Sequence, residues 1–302
     1  MNRVRNLLGC ESAYRQHVLG QGIGVAILDT GVNPHPDLQG RIMGFYDVLH
    51  QKTRPYDDNG HGTHVAGIIG GSGQVSNGKY MGIAPECQLI SIKVLDHKGN
   101  GNSKDVLTAL DWVIAHKEEY NIRIINISVG TKPKEGTGEE SALVRGVDKA
   151  WDSGLVVCVA AGNNGPKPQS ITTPGISRKV ITIGSSDDQQ YVDVFGNRRY
   201  NYSGRGPTMS CVKKPDVVAP GSNIVSCNAA CIRRGRPFYS SKSGTSMATP
   251  VVSGCIALLL SKYPDMTNVE VKLRLREYSE DLGLAREQQG WGLVQVDRLL
   301  QM

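Results

Sequence analysis

Aromatic side chains are scarce in this 302-residue chain, with only three Phe and three Trp. Small aliphatic residues must therefore fill most of its core. Long apolar runs are missing too. The longest, Val251 to Leu260, falls short of the ~20 residues with which a helix spans a bilayer, so no membrane partner is expected. No heptad pattern recurs, which excludes coiled coil. A content of 39% hydrophobic and 21% charged residues excludes disorder. Basic residues number 34 against 28 acidic, a net charge of +6, but they are spread along the chain. The densest cluster, Arg233, Arg234 and Arg236, lacks the interleaved aromatics on which single-strand binders stack bases. It reads as a solvated loop, and no nucleic-acid partner is expected. The seven cysteines are an odd number, ill suited to a complete disulfide framework. Several sit in apolar runs (Val157-Cys158-Val159, Gly254-Cys255-Ile256), where free thiols behave as small buried hydrophobes. That favours a reducing compartment. Cys227 and Cys231 are four apart without the paired CxxC units of a zinc site. Residues Met1 to His17 hold no apolar h-region, so no signal peptide is evident.

What the chain has in excess is glycine: 36 residues, against an average usage of roughly 7%. Tight turns and close backbone approaches are expected. Between the turns, apolar runs of strand length alternate with segments of helical period. Ile23 to Leu28, Gln88 to Leu95, Arg123 to Ser128, Leu155 to Ala161 and Val180 to Gly184 read as buried strands. Lys104 to Tyr120 sets Leu107, Leu110, Trp112, Val113 and Ile114 at helical spacing. Ser141 to Asp152 does likewise and stops before Gly154, a residue suited to the position just past a helix end. Thr267-Asn-Val-Glu270 is a capping box that opens a further helix. Continuous apolar strands alternating with helices predict an α/β fold, a mostly parallel sheet covered on both faces. With no repeat and no linker-like tract, a single domain over residues 1–302 is expected. Two loops stand out as solvated, Thr131 to Glu140 and Asn228 to Lys242; the second is expected to be mobile.

Gly20-Gln-Gly22-Ile-Gly24 looks like a dinucleotide loop but precedes its strand, whereas that fingerprint follows one. Asp29 ends the same strand, and ligands of parallel sheets bind beyond the carboxyl ends of strands. In Asn59-Gly60-His61-Gly62-Thr63-His64-Val65-Ala66-Gly67, the two histidines lack an HExxH frame or a third metal ligand. His64 suits a core, whereas His61 begins the segment and points out of it. Ser246, in Ser243-Gly244-Thr245-Ser246-Met247-Ala248-Thr249-Pro250, opens an apolar helix, where the helix dipole favours developing negative charge. Alone, it reads equally well as an N-cap.

Taken together, these segments are specific. Asp29-Thr30-Gly31, His61-Gly-Thr-His-Val-Ala-Gly67, Ala160-Ala161-Gly162-Asn163 and Gly244-Thr-Ser246-Met-Ala248 resemble, in order and spacing, the signature blocks of the subtilisin-like serine proteases. Asn126-Ile-Ser128 and Pro215-Asp-Val-Val-Ala-Pro220-Gly221 fit as well, and the similarity runs from about Gly22 to Leu260. The resemblance implies a subtilisin-like three-layer fold and endopeptidase activity. It implies Ser246 as nucleophile, His61 as general base and Asp29 as its orienting carboxylate. It further implies Asn163 as the oxyanion donor. Ser128, Val129 and Gly130 would pair an extended polypeptide substrate as an added strand. Ala160, Ala161 and Gly162 would wall the pocket for the side chain preceding the cleaved bond, with an apolar-leaning preference. Thr172 falls at the floor of that pocket, where the family often has glycine, and would disfavour the largest aromatics. No cofactor is needed for this chemistry. A structural calcium is admitted, with Asp37 matching one family ligand, although the loop Gly70 to Gly82 departs from the secreted enzymes' calcium loop. Val251 stands where subtilisin has a histidine. The cysteines and the lack of an evident leader or prodomain resemble the intracellular branch, giving a cytoplasmic expectation; the alternative is a secreted, processed mature domain. A catalytically silent subtilase serving as a binding protein is the rival reading, opposed by Asp29, His61, Asn163 and Ser246 all being present.

Overall fold

The computed structural model describes residues 1–131, 138–189, 191–192, 198–199, 201–233 and 235–301. Two short helices, α1 (Asn2–Leu7) and α2 (Cys10–Arg15), lead into strands β1 (Gly24–Asp29) and β2 (Ile42–Asp47). Helix α3 (His61–Gly70), β3 (Gln88–Lys93), α4 (Ser103–His116), β4 (Ile122–Ile127), α5 (Ala142–Asp152), β5 (Val156–Ala160) and β6 (Ile181–Ser185) follow in alternation. A small ladder pairs β7 (Tyr191–Val192) with β8 (Arg198–Arg199). Then come β9 (Val217–Ala219), the hairpin of β10 (Ile224–Cys227) and β11 (Tyr239–Lys242), and helices α6 (Thr245–Lys262), α7 (Asn268–Tyr278), α8 (Arg286–Gln289) and α9 (Val296–Leu299).

Seven strands form one sheet in the order β2-β3-β1-β4-β5-β6-β9, every pair parallel. Helices α3 and α6 pack together on one face, and α4 with α5 on the other. Both faces are thus covered, which is why β1, β5 and β6 are buried at every position and read as unbroken apolar runs. The chain reverses its direction of progress across the sheet beside β1, and the crevice beyond the carboxyl ends of β1, β4 and β5 is where such sheets hold ligands. Asp29, Ser128 and Asn163 all sit at or just past those ends.

The expected α/β sheet, the helix stop at Gly154 (φ +92°) and both halves of the Thr267–Glu270 capping box are present. Five cysteines are buried and all seven are free. Helix α6 reaches 18 residues and is apolar enough to cross a membrane by length and composition, but 83% of it is buried inside the fold. One expectation needs correction. Residues Tyr239 to Lys242 are not loop but strand β11, paired antiparallel with β10. A buried imidazole fastens this hairpin: His64 Nε2–H lies 3.1 Å from both the Ile224 and Ser240 carbonyl oxygens. The tip keeps exposed residues such as Arg233 and Arg236. Arg234 and most of the Thr131 to Glu140 loop lie outside the described residues.

Candidate active site

Asp29 is 1% exposed at the end of β1, and the geometry around it decides what His61 can do. His61 Nδ1 lies 2.8 Å from Asp29 Oδ1 and 2.9 Å from Oδ2. A carboxylate only accepts, so the ring proton sits on Nδ1 and Nε2 presents its lone pair. Burial lowers the proton affinity of His61, but the Asp29 charge and hydrogen bond outweigh it and raise the pKa above the ordinary imidazole value. The His61 side chain is 22% exposed.

Ser246 is the second residue of α6, in the first turn, where backbone N–H groups lack intrahelical partners. The Thr245 N–H donates to Asn163 Oδ1 at 2.9 Å, and the Thr245 hydroxyl donates to the same oxygen at 3.1 Å. That hydroxyl also accepts the Gly162 N–H at 3.1 Å. With Oδ1 held by two donors, the Asn163 NH2 is left for other partners. A methyl built on Gly244 (φ +141°) would lie 3.1 Å from Asn163 Nδ2 and 3.2 Å from Ser246 Oγ. Only a glycine leaves that space free. His61 Nε2 and Ser246 Oγ make no hydrogen bond to each other here, a contact that free enzymes often close only with substrate bound.

The chain matches the model described as "Subtilase family" over residues 20–292. It is 45% identical over 274 residues to "Serine protease AprX" of Bacillus subtilis (strain 168), covering 86% of this chain and 62% of that protein. It is 35% identical over 292 residues to "Subtilisin" of Bacillus pumilus, covering 95% of this chain and 94% of that protein. The chain belongs to the subtilase family of serine endopeptidases. Among solved structures, this subtilase is similar to "a cold adapted subtilisin-like serine proteinase", with a TM-score of 0.73, 30% identity and 92% and 90% of the two chains covered. It spans 39% of the length of "Minor extracellular protease Epr" of Bacillus subtilis (strain 168), to which it is 34% identical over 94% of its own length.

In this subtilase, Ser128, Val129 and Gly130 continue from β4, and the Ser128 hydroxyl accepts from Asn126 Nδ2 at 2.8 Å. Thr131 pairs with Thr173 through two backbone bonds of 3.0 and 2.8 Å, while the Gly130 peptide groups take no partner among the described residues. Ala160 and Ala161 are buried, and Gly162 adopts φ +89°. Thr172 is 5% exposed; its side chain fills the space beside both Gly130 and Gly162, where a Cβ on either glycine would collide with it.

Several contributors were not singled out from sequence. A cavity of about 420 Å³ opens beside Gly130, lined by Leu95, Val106, Ile127 and Leu143 with the Gly99–Asn102 backbone opposite. Nothing local in the sequence joins those segments. Lys93, fully buried, donates Nζ to the Thr30 and Leu95 carbonyls and to Asp58 at 2.7–2.8 Å. Asp57, 6% exposed, gathers the turn before His61, the start of α3 and the Thr30 hydroxyl; its place four residues before His61 was the available clue. His64 is fully buried, and burial, with Lys242 adding to it, pushes its pKa down to about 3. A core histidine is what the sequence suggested.

The calcium that the family's fold admits does not suit Asp37. Calcium takes six to eight oxygen ligands. Asp37 Oδ1 instead accepts the Val75 N–H at 3.0 Å, and Oδ2 accepts the Tyr239 O–H at 2.6 Å. Its other close neighbours are an imidazole, His35, and a thiol, Cys227. In the Gly70–Gly82 loop, the Gly78 and Met81 carbonyls accept from the buried Arg5 guanidinium.

Proposed function

We propose that this chain hydrolyses peptide bonds as an endopeptidase with Ser246 as nucleophile. The observation that carries the proposal is a single constellation: a carboxylate-held imidazole on α3, and the Ser246 hydroxyl and Asn163 amide both lying against Gly244. His61 Nε2 takes the Ser246 proton as Oγ adds to the carbonyl carbon. Negative charge moves to the carbonyl oxygen, between the Ser246 N–H and Asn163 Nδ2. The C–N bond then breaks, and His61 returns its proton to the leaving amine. Water repeats the sequence on the acyl-enzyme, restoring Ser246 and freeing the acid. Asp29 keeps the proton on Nδ1 and stabilises the imidazolium. No step calls for a cofactor.

An extended polypeptide would pair with the free Gly130 edge. The preceding side chain would meet Ala160, Ala161 and Gly162, a wall of small residues whose floor Thr172 raises. Small and medium apolar side chains therefore suit this position better than large aromatics. The apolar cavity beside Gly130 would take a second side chain upstream. The relative "Minor extracellular protease Epr" is extracellular by name, which supports the secreted alternative over the cytoplasmic expectation.

Asn163→Ala tests the assignment. The amide acts on charge that exists only in the transition state, so kcat should fall while KM holds. Loss of the corresponding donor in subtilisin itself costs about 10²–10³ in kcat, and that size is carried over by kinship. A rise in KM alone would make Asn163 a substrate contact instead.

A further inference from the structure

Two short patterns take no part in the chemistry at Ser246. One is His35-Pro36-Asp37, after β1; the other is Cys227 with Cys231, where β10 turns toward β11. The fold brings them together. His35, Asp37 and Cys227 are all buried, and one imidazole nitrogen, one carboxylate oxygen and one sulfur lie within 4.8 Å of one another. Cys231 is half-buried four residues further on, its N–H bonded to the Asn228 carbonyl at 3.0 Å in the turn that follows β10.

We propose that His35, Asp37 and Cys227 bind a divalent transition-metal ion of the zinc class, with Cys231 turning in as the fourth donor.

The donor set points to that class. Mixed nitrogen, sulfur and oxygen ligands suit zinc, whereas calcium and magnesium want oxygen alone. The spacing Cys-x3-Cys falls within the range that structural zinc sites use. The surroundings are also those of a ligand shell. His35 Nε2 lies 2.8 Å from the Phe238 carbonyl oxygen. A carbonyl only accepts, so the proton is on Nε2 and Nδ1 keeps the lone pair that a metal would need. Metal-binding histidines characteristically donate their other ring N–H in this way. Nδ1 now accepts the Asp37 N–H at 3.1 Å, a bond that the ion would have to replace. The Asp37 carboxylate is already oriented by Tyr239 O–H and Val75 N–H, each leaving lone pairs free. The Phe238 and Tyr239 rings stand 6.0 and 5.7 Å from the His35 ring and wall the site.

Each ligating thiol loses one proton to solvent as its sulfur–metal bond forms, and the ion sheds water in exchange. No electron is transferred. The ion would brace the hairpin against the segment after β1. It would also bear on the catalytic helix, because a methyl built on Gly67 of α3 would lie 2.6 Å from Cys227 Sγ. Binding to the folded chain alone raises its stability.

Cobalt(II) is the probe, titrated into the whole reduced chain and then displaced by zinc. One equivalent should produce a thiolate-to-cobalt charge-transfer band, and zinc should raise the Tm. Cys227→Ser should weaken zinc binding tenfold or more and abolish the Tm gain. Cys231→Ser should reduce the charge-transfer intensity by about half, and at its half-buried position it carries the test if Cys227→Ser does not fold. The proposal is overturned if no such band forms or if both variants keep it unchanged. Equal zinc affinity in wild type and Cys227→Ser would place the ion elsewhere, for example on His61, and would also overturn it.

Discussion

Asp57 is not among the proposed reacting groups, yet its replacement by asparagine should disturb the proposed triad from behind. Its Oδ1 accepts the Thr30 hydroxyl at 2.9 Å and the Asn59 and Gly60 N–H groups at 3.1 and 2.7 Å. Its Oδ2 accepts the Thr63 N–H at 2.9 Å and the Thr63 hydroxyl at 2.6 Å. Asparagine can keep the three bonds on Oδ1. On the other side an NH2 would face the Thr63 N–H, donor against donor. The Thr63 hydroxyl, which already accepts the Asn33 N–H at 2.9 Å, could accept from it with its second lone pair but would lose Oδ2 as its own acceptor. One buried backbone N–H left unpaired costs about 1–3 kcal/mol, and the bonds that survive lose their charge assistance. Relief of burying a carboxylate offsets part of this, so a net loss of about 2–4 kcal/mol is expected. The Asp57 charge is also among the causes that raise the His61 pKa. Its removal should move the acid limb of kcat/KM to lower pH, with KM unchanged because substrate does not reach Asp57. Urea unfolding in a Ser246→Ala background reads the stability, free of self-digestion, and a pH–rate profile on the Ser246 enzyme reads the limb. A stability change within about 0.5 kcal/mol together with an unmoved limb would refute the argument.

Arg5, 5% exposed, holds the Gly70–Gly82 loop through the Gly78 and Met81 carbonyls. Arg5→Met should cost about 1–3 kcal/mol in urea unfolding and speed limited proteolysis of that loop; an unchanged midpoint would mean that the loop holds itself. His64 should make the fold acid-labile. Its pKa is about 3 when folded and ~6.5 when unfolded, so between these values the unfolded chain binds the extra proton and stability falls as pH falls. The loss is at most about 4–5 kcal/mol, and His64→Gln should flatten that slope. His61 has the opposite sign: its pKa is raised on folding, so its contribution is present below pH ~6.5 and lost as pH rises through the folded value. A slope unchanged by His64→Gln would contradict the assignment.

The sheet was legible because β1, β5 and β6 are buried throughout and so carry unbroken apolar runs. Edge strand β2 was not, although Ile42 to Tyr46 is largely apolar: Gly44 interrupts the stretch, and at the sheet edge most of it is only partly buried. The hairpin strand β11 escaped for a related reason: Tyr-Ser-Ser-Lys has neither apolar run nor alternation, and its place is fixed by a histidine 176 residues away in sequence. Asp29, His61, Asn163 and Ser246 stood out because each lies in a block of local sequence. Asp57 and Thr245 act only through partners that folding brings near them, and the cavity beside Gly130 is assembled from four separate stretches.

The central claim is that Ser246 is a nucleophile activated by His61. Labelling with a fluorophosphonate, followed by peptide mass mapping, tests it most directly. One adduct per chain is predicted, on Ser246 Oγ, absent from Ser246→Ala. Its rate should rise with pH through a midpoint above the ordinary imidazole value of ~6.5, since Asp29 raises the His61 pKa. An adduct on another residue, or peptide hydrolysis surviving in Ser246→Ala, would contradict the account.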